Sequence, residues 1–214
     1  MNPFPLILSS PSGGGKTTIS RLLLERRPDV GYSVSCTTRP PRPGEVHGRD
    51  YFFLTRAEFL EKRERDEFAE SAEVHGNLYG TLRSHVEGVL NGGRHVVMDI
   101  DVQGARQFRA AYPESVMVFL LPPSVEALLQ RLSGRRTESG EVFRIRVRAA
   151  REELHAALSY QYAVVNDDLE SAYRSVSSIV DAEAVRHARQ PQLATRVHRL
   201  MEELDHQLLQ MASR

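Results

Sequence analysis

Cysteine and long apolar runs are scarce in this chain, and both shortages exclude classes of protein. Cys36 is the only cysteine among 214 residues, which excludes an internal disulfide framework and a zinc site built from thiolates. Because Cys36 lies in an apolar run, we expect a buried, reduced thiol. No apolar run approaches the roughly 20 residues that a membrane-spanning helix needs. The sequence therefore predicts no membrane partner.

A net charge is also missing, since 28 Lys and Arg balance 28 Asp and Glu. Without a global positive field we expect no binding to nucleic acid, and any anion has to be bound locally. The first residues lack the basic and apolar segments of a signal peptide, and we expect a cytoplasmic protein. A hydrophobic content of 41% and a charged content of 26% are ordinary for a globular chain of this length.

Lysine is scarce as well. Lys16 and Lys62 are the only two lysines, so arginine supplies 26 of the 28 basic side chains. A lysine retained at position 16 in such a chain indicates a task for a compact ammonium group, a distinction that matters at phosphates.

Short apolar runs, several of them rich in β-branched residues, alternate with helical patterns along the chain. This order predicts an α/β fold with a doubly wound parallel sheet. The predicted strands occupy residues 4–8, 30–34, 96–98, 116–121 and 163–165, and helices begin near Lys16, Val102, Ser124, Glu141 and Leu169.

Two segments interrupt this alternation. A Pro-rich loop, an aromatic cluster and a charged helix predict an inserted subdomain at residues 36–90, which leaves residues 1–35 and 91–214 as the core domain. A segment with glycine at both ends, 134–140, lies between two helical patterns and predicts a mobile lid at about 131–147.

The last segment, 193–211, carries apolar side chains at spacings of three and four residues. This spacing predicts an amphipathic helix. We expect the helix to pack on the core, and a homo-oligomer contact is the alternative.

A glycine-rich segment follows the first predicted strand and opens the first predicted helix. Its sequence is Ser10-Pro11-Ser12-Gly13-Gly14-Gly15-Lys16-Thr17, close to the phosphate-binding pattern G-x-x-x-x-G-K-[ST]. In such a loop backbone N–H groups converge on phosphate oxygens, Lys16 reaches the β- and γ-phosphates, and Thr17 offers its hydroxyl to Mg²⁺. Ser10 replaces the first glycine of the pattern, so the turn there has to accept a β-carbon. The segment predicts a site for ATP or GTP.

An arginine-bearing loop follows the second predicted strand. It places Arg39 and Arg42 three residues apart among prolines, and two such guanidinium groups can clamp one phosphate. The spacing of Pro40 and Pro43 equally suits a polyproline ligand for a partner domain. The loop alone leaves both interpretations open.

The loop belongs to a longer segment, T-T-R-x-P-R-x-G-E-x-x-G-x-x-Y at residues 37–51, which resembles the GMP-binding segment of the guanylate kinase family. Further segments are similar to successive signatures of that family, in order. They are Phe68-Ala69-Glu70, Gly76-Asn77-Leu78-Tyr79-Gly80-Thr81, Asp99-Ile100-Asp101-Val102-Gln103-Gly104, Pro122-Pro123-Ser124 and Val165-Asn166-Asp167-Asp168. The resemblance covers roughly residues 6–187. It implies a P-loop core with an inserted GMP-binding subdomain and a helical lid.

The resemblance also implies which residues bind each substrate. The GMP phosphate is expected at Arg39, Arg42, Tyr51 and Tyr79, and the guanine at Ser35, Glu70 and Thr81. ATP is expected at Ser12, Gly13, Gly14, Gly15, Lys16, Thr17, Thr18, Arg131 and Asn166, with Mg²⁺ as the cofactor at Thr17. Asp99 and Asp101 follow a predicted strand over the crevice and are expected to reach GMP or hydrated Mg²⁺, although strand-end carboxylates can simply face water.

Glu70 is chemically suited to a guanine. Guanine presents N1–H and an amino group side by side, and one carboxylate can accept both, whereas adenine has an acceptor at N1. A site built for such hydrogen bonds rejects a base that lacks them, because its buried polar groups would stay unpaired.

By the same resemblance Arg131, Arg135 and Arg146 belong to the lid region and contact the phosphates or the adenine, and Asn166 lies near the adenine. The expected catalytic set is Lys16, Arg39, Arg135 and Arg146. The family has Gly-Arg-Gly in the lid where this chain has Gly134-Arg135-Arg136. Either the hinge is stiffer, or Arg136 shares the role of Arg135.

The implied reaction is reversible transfer of the ATP γ-phosphoryl group to GMP, and to dGMP, within a closed complex that excludes water. One alternative is a kinase for AMP or UMP, against which Glu70 and Thr81 argue. The other is a guanylate-kinase-like module that binds phosphorylated peptides without catalysis, against which the intact Lys16-Thr17 pair argues.

Overall fold

The computed structural model describes residues 2–74, 76–133 and 140–212, with Gly140 and Val142 described by their backbone alone. The strands are β1 (Pro5–Ser9), β2 (Val30–Tyr32), β3 (Cys36–Thr37), β4 (Phe52–Phe53), β5 (Phe68–Val74), β6 (Asn77–Leu82), β7 (His95–Asp99), β8 (Val116–Leu121) and β9 (Tyr162–Val165). The helices are α1 (Lys16–Arg26), α2 (Arg56–Glu64), α3 (Arg83–Asn91), α4 (Val102–Ala111), α5 (Val125–Ser133), α6 (Gly140–Ala156), α7 (Leu169–Ala184) and α8 (Leu193–Ala212).

The core is a five-stranded sheet in the order β2-β7-β1-β8-β9, and all of its pairings are parallel. Alternate side chains of β1 point to opposite faces of this sheet. Leu6 and Leu8 pack in a cluster that includes residues of α1 and α7, and Ile7 packs in a cluster that includes residues of α3 and α4. The predicted doubly wound α/β architecture is confirmed.

The second predicted strand is shorter than expected. It was placed at residues 30–34, but β2 ends at Tyr32. The N–H of Phe52 donates to the carbonyl oxygen of Ser35 at 2.9 Å, so the backbone is already paired outside the core sheet at that residue. The apolar run therefore continues past the point where the chain leaves the core.

A second sheet, in the order β4-β3-β6-β5, is formed between β2 and α3 in the chain. Its own apolar cluster contains Cys36, Phe59 and Phe68. Cys36 is fully buried, as predicted, and burial raises the pKa of its thiol to about 12. Such a thiol stays protonated and unreactive at neutral pH.

Helix α3 follows the second sheet in the chain but packs on the core. Its Val86 is buried in the same cluster as Phe108 of α4 and Met98 of β7. The division of the chain into a subdomain at residues 36–90 and a core stays a prediction.

Helices α5 and α6 share a small apolar cluster that contains Leu128, Leu132 and Ala150. The two helices flank residues 134–139, and the predicted lid residues Arg135 and Arg136 lie outside the described part of the chain.

The last helix contradicts the expectation that it packs on the core. Helix α8 forms where the spacing predicts it, but it buries no residue. Leu204 and Leu208 are each 63% exposed and Met211 is 70% exposed. The apolar spacing is correct for a helix face, but sequence spacing does not specify what covers that face.

Across residues 2–74, 76–133 and 140–212, no helix has both the length and the apolar content to cross a bilayer.

Candidate active site

The predicted site residues gather at the carboxyl ends of the central strands. Leu8 of β1 is in register with Asp99 of β7, so the loop that follows β1 begins beside the last residue of β7. Ligands of open α/β sheets bind at this edge.

The glycine-rich loop has the backbone geometry of an anion site. Gly13 and Gly15 adopt left-handed conformations with φ of 77° and 93°, which only glycine adopts at little cost. The Gly15 position supplies no side-chain cap to α1, so the first N–H groups of the helix receive no capping hydrogen bond from that residue. A helix N-terminus of this kind favours a bound anion.

Lys16 is held in the loop by Ser10. The ammonium Nζ donates to the carbonyl oxygen of Ser10 at 2.9 Å and to its Oγ at 3.3 Å. Ser10 is not in the left-handed region, so the turn accepts its β-carbon without backbone strain. Desolvation lowers the pKa of Lys16, while the carboxylates of Glu153 and Asp99 oppose that shift.

Asp99 links the loop to the neighbouring strand. Its carboxylate accepts from the Thr17 hydroxyl at 2.7 Å and from the Tyr32 hydroxyl at 2.9 Å. A hydroxyl and a carboxylate side by side are the oxygen donors that Mg²⁺ prefers. Thr17 and Asp99 therefore fit the predicted metal position.

Helix α6 brings two charged side chains to the mouth of the loop. Arg146 donates to the carbonyl oxygen of Leu132 at 2.8 Å and to the Ser12 hydroxyl at 3.4 Å. The Glu153 carboxylate accepts from the Ser12 N–H at 3.2 Å. Arg146 was predicted to act here. Glu153 was not predicted, because a glutamate inside a helix of charged residues carries no distinguishing signal.

Arg131 and Asn166 close the other side of the loop. The Asn166 amide donates to the carbonyl oxygen of Gly14 at 2.8 Å, and Arg131 donates to the carbonyl oxygen of Asn166 at 3.0 Å. The second terminal nitrogen of Arg131, Nη1, is buried and has no hydrogen-bond partner among the described residues. A partly buried guanidinium group with a buried, unused donor atom beside a phosphate-type loop suits an anionic ligand.

A cavity of about 190 Å³ lies between the second sheet and the end of β7. Six of the residues predicted to bind GMP line it, together with apolar and glycine positions. The lining residues are Tyr32, Ser35, Tyr51, Glu70, Ala72, Val74, Tyr79, Gly80, Asp99, Ile100 and Asp101.

Glu70 is the buried acid of this cavity. Its Oε1 accepts from the Thr81 hydroxyl at 2.7 Å, which places the predicted Thr81 behind the carboxylate rather than in the lining. Burial raises the pKa of Glu70 to about 7, against the opposing hydrogen bond from Thr81. Asp101, a second predicted residue, adds to that rise through its charge.

Asp101 also has a structural task. Its Oδ1 accepts from the Gly104 N–H at 2.7 Å and so caps the N-terminus of α4. Gly104 lies so close to Glu70 that an added β-carbon would be 2.7 Å from Oε2. The start of α4 and the buried carboxylate therefore fix each other.

The two arginines of the proline-rich loop lie outside the cavity lining. Arg39 forms a two-pronged ion pair with Glu45 at 2.9 and 3.0 Å, and its guanidinium lies 5.5 Å from the ring centre of Tyr51. Arg42 is exposed, and its backbone N–H donates to Glu45 at 2.7 Å. Glu45 thus organises both arginines.

The structure therefore assembles most of the predicted residues in two neighbouring groups. Thr18, next to Thr17 at the start of α1, and Arg42 are exposed, and Arg135 lies outside the described residues. Sequence reasoning missed Tyr32, Glu45 and Glu153. Glu45 had a signal, since it lies within the quoted segment three residues after Arg42.

Comparison with known proteins shows similarity to one family over most of the chain. A family model described as guanylate kinase matches residues 2–183. A guanylate kinase from Nitrosomonas europaea is 47% identical over 184 residues, covering 86% of this chain and 92% of the relative. One from Paramagnetospirillum magneticum is 51% identical over 186 residues, covering 86% and 87%.

A solved structure is also similar. The crystal structure of guanylate kinase from Anaplasma phagocytophilum matches with a TM-score of 0.75 and 36% identity, covering 90% of this chain and 92% of that one.

Proposed function

Because the chain belongs to the guanylate kinase family, it is an enzyme that transfers a phosphoryl group from ATP to GMP, and we propose that its two anion sites divide the substrates. The glycine-rich loop with Lys16 takes ATP. The cavity around Glu70 takes GMP.

One observation carries this assignment. Asp99 accepts a hydrogen bond from Thr17 of the loop and also lines the cavity. The two sites are therefore adjacent and share a wall, as a direct transfer between two bound nucleotides requires.

At the donor site, the loop N–H groups and Lys16 neutralise the phosphates of ATP, and Arg131 and Arg146 add charge from the flanking helices. Phosphoryl transfer needs little covalent help from the protein, so positioning and charge stabilisation supply most of the acceleration. Arg39 and Arg135 complete the proposed catalytic set. Thr17 and Asp99 would hold Mg²⁺, which offsets the negative charge of the transferred group.

At the acceptor site, Glu70 accepts the N1–H and amino group of guanine, Thr81 orients the carboxylate, and Ser35 borders the base. Tyr51, Tyr79, Arg39 and Arg42 take the GMP phosphate. Arg39 is paired with Glu45 and lies close to Tyr51, so a bound phosphate would compete with Glu45 for the guanidinium group. None of these contacts is assigned to the ribose, and we therefore propose that dGMP is accepted as well.

We also propose that the reaction takes place in the cytoplasm, where the single thiol Cys36 remains reduced.

Replacement of Lys16 by alanine tests the donor site. We expect turnover to fall about 10²–10³-fold, since one charge that stabilises the transition state is lost, while the dissociation constant for GMP changes by less than about twofold. ADP release measured in a coupled assay gives turnover, and calorimetry gives GMP affinity.

Lys62→Ala is the matched control, because Lys62 is the only other lysine and lies on α2, where it pairs with Glu67. This variant should keep wild-type turnover. Full turnover in Lys16→Ala would exclude the proposed role of Lys16.

A further inference from the structure

Helix α8 presents an apolar stripe that its own chain leaves uncovered. The stripe comprises side chains spaced by three and four residues along 20 residues of helix, and each is partly or largely exposed. Its members are Leu193, Val197, Leu200, Met201, Leu204, Leu208 and Met211.

An uncovered apolar stripe of this kind would be stabilised by a partner that packs against it. A helix gains most of its stability from packing of its apolar face, and no residue of α8 is buried. A contiguous row of exposed apolar side chains marks interaction sites in soluble proteins.

The charges on α8 are divided along its length. Arg196, Arg199 and Glu202 lie in the first half, which keeps a net positive charge, and Glu203 and Asp205 lie in the second half. Two such helices side by side in the same direction would bring like charges together. Two helices in opposite directions bring each basic half to an acidic half.

We propose that α8 is the interface of a homodimer, in which the helix packs antiparallel against the same helix of a second copy of this chain. Heptad spacing permits antiparallel registers that differ by seven residues, and the flanking charges select the one that pairs Arg196 with Glu203. Leu193 faces the second copy's Leu204, and Val197 faces its Leu200. Symmetry repeats both contacts, so the apolar layer covers the stripe from Leu193 to Leu204, and Leu208 and Met211 lie beyond it.

This register also pairs the flanking charges. Arg196 and Glu203 each precede a core position of the heptad by one residue, at Val197 and Leu204. In the antiparallel register Arg196 of one copy therefore lies beside Glu203 of the other, and the twofold axis creates this pair twice. Within one chain Glu203 pairs with Arg199 at 3.8 Å, which is a weak exposed contact.

An anionic membrane surface suits α8 less well. Its two arginines are outnumbered by three carboxylates in consecutive turns, whereas helices that lie on anionic lipid carry an excess of Lys and Arg. The family model ends at residue 183, before α8 begins, so the proposed interface is separate from the residues assigned to the reaction.

Sedimentation equilibrium of the full chain over micromolar concentrations tests the proposal. We expect a reversible dimer. Arg196→Glu and Glu203→Arg should each raise the dissociation constant about tenfold, because two pairs become two repulsions. The double variant should return to within about twofold of wild type.

Leu200→Asp should give a monomer, and Leu158→Asp is its matched control, because Leu158 is 84% exposed outside α8 and should leave the dimer intact. Unchanged kinase turnover in each variant shows that it is folded. A wild-type monomer, a dimer that tolerates Leu200→Asp, or charge swaps without effect would overturn the proposal. So would a monomer that binds vesicles of phosphatidylglycerol through α8.

Discussion

The Glu70 carboxyl combines burial with a polar task. It is 6% exposed and has one hydroxyl partner, Thr81, among the described contacts. Because burial raises its pKa to about 7, protonated and ionised forms coexist at neutral pH. Guanine supplies two donors, which only the ionised form can accept together.

GMP affinity should therefore rise with pH through this range. Between pH 6 and pH 8 the ionised fraction of a group with a pKa near 7 increases about tenfold, and we expect the dissociation constant for GMP to fall by a similar factor. Calorimetry at pH 6, 7 and 8 measures it. The Glu70→Gln variant should lose this pH dependence of GMP affinity and keep only the part that comes from ionisation of the GMP phosphate. An identical pH profile in both proteins would contradict the role of Glu70.

The raised pKa of Glu70 makes the stability of the free protein change with pH in the opposite direction to GMP affinity. Between about pH 4.5 and pH 7 the folded chain holds a proton on Glu70 that the unfolded chain releases. Stability contributed by this group is therefore present at low pH and declines as the pH rises to about 7.

The closeness of Glu70 explains why a glycine occupies position 104, in the first turn of α4. Alanine is about 1 kcal/mol better than glycine in a helix interior, but an added β-carbon would lie 2.7 Å from Glu70 Oε2. Glu70 is a flexible side chain, so it would move and the helix would remain.

We expect Gly104→Ala to raise KM for GMP about tenfold or more, since a displaced carboxylate loses its aligned hydrogen bonds, and to leave KM for ATP unchanged. Steady-state kinetics with each substrate varied measures both values. Gly88→Ala on α3 is the control, because an added β-carbon there meets nothing within 4 Å. Equal GMP kinetics in the two variants would argue against a positioning role for Gly104.

At the scale of elements, α6 reaches across to the loop that precedes α1. Its Glu153 carboxylate accepts a hydrogen bond from the N–H of Ser12 in the loop, a donor of the kind that binds phosphate. Its charge also acts to raise the pKa of Lys16. A carboxylate at this position repels an incoming phosphate. ATP therefore has to displace Glu153 or bind beside it.

Removal of this charge should strengthen ATP binding. We expect Glu153→Ala to lower KM for ATP about threefold or more, with little change in KM for GMP, in initial-rate measurements at saturating GMP. Glu152→Ala is the matched control, because its carboxylate is exposed and pairs with Arg151. A higher KM for ATP in Glu153→Ala would mean that the carboxylate supports binding instead.

At the scale of the whole molecule, periodicity and motif order predict the core well. The short apolar runs become the strands of the parallel sheet, and the central strand β1 is buried on both faces, with Leu6 packed on one side and Ile7 on the other. Glycine and lysine spacing likewise predicts the loop, since backbone geometry demands those residue types.

The parts that the sequence did not predict depend on contacts between distant elements. Glu153 is 141 residues from Ser12, and Tyr32 is 67 residues from Asp99. No local pattern distinguishes such residues from solvated neighbours. The exposure of α8 belongs to the same class, because spacing shows that a helix has an apolar face and not what lies against it.

The single buried thiol has a practical consequence. Because Cys36 is inaccessible and its pKa is about 12, maleimide reagents at neutral pH should not react with it. One cysteine introduced on the second sheet and another on α6 would then carry a fluorophore pair without any background substitution. The distance between the dyes would report directly on movement of the two flanks of the cleft as each nucleotide is added.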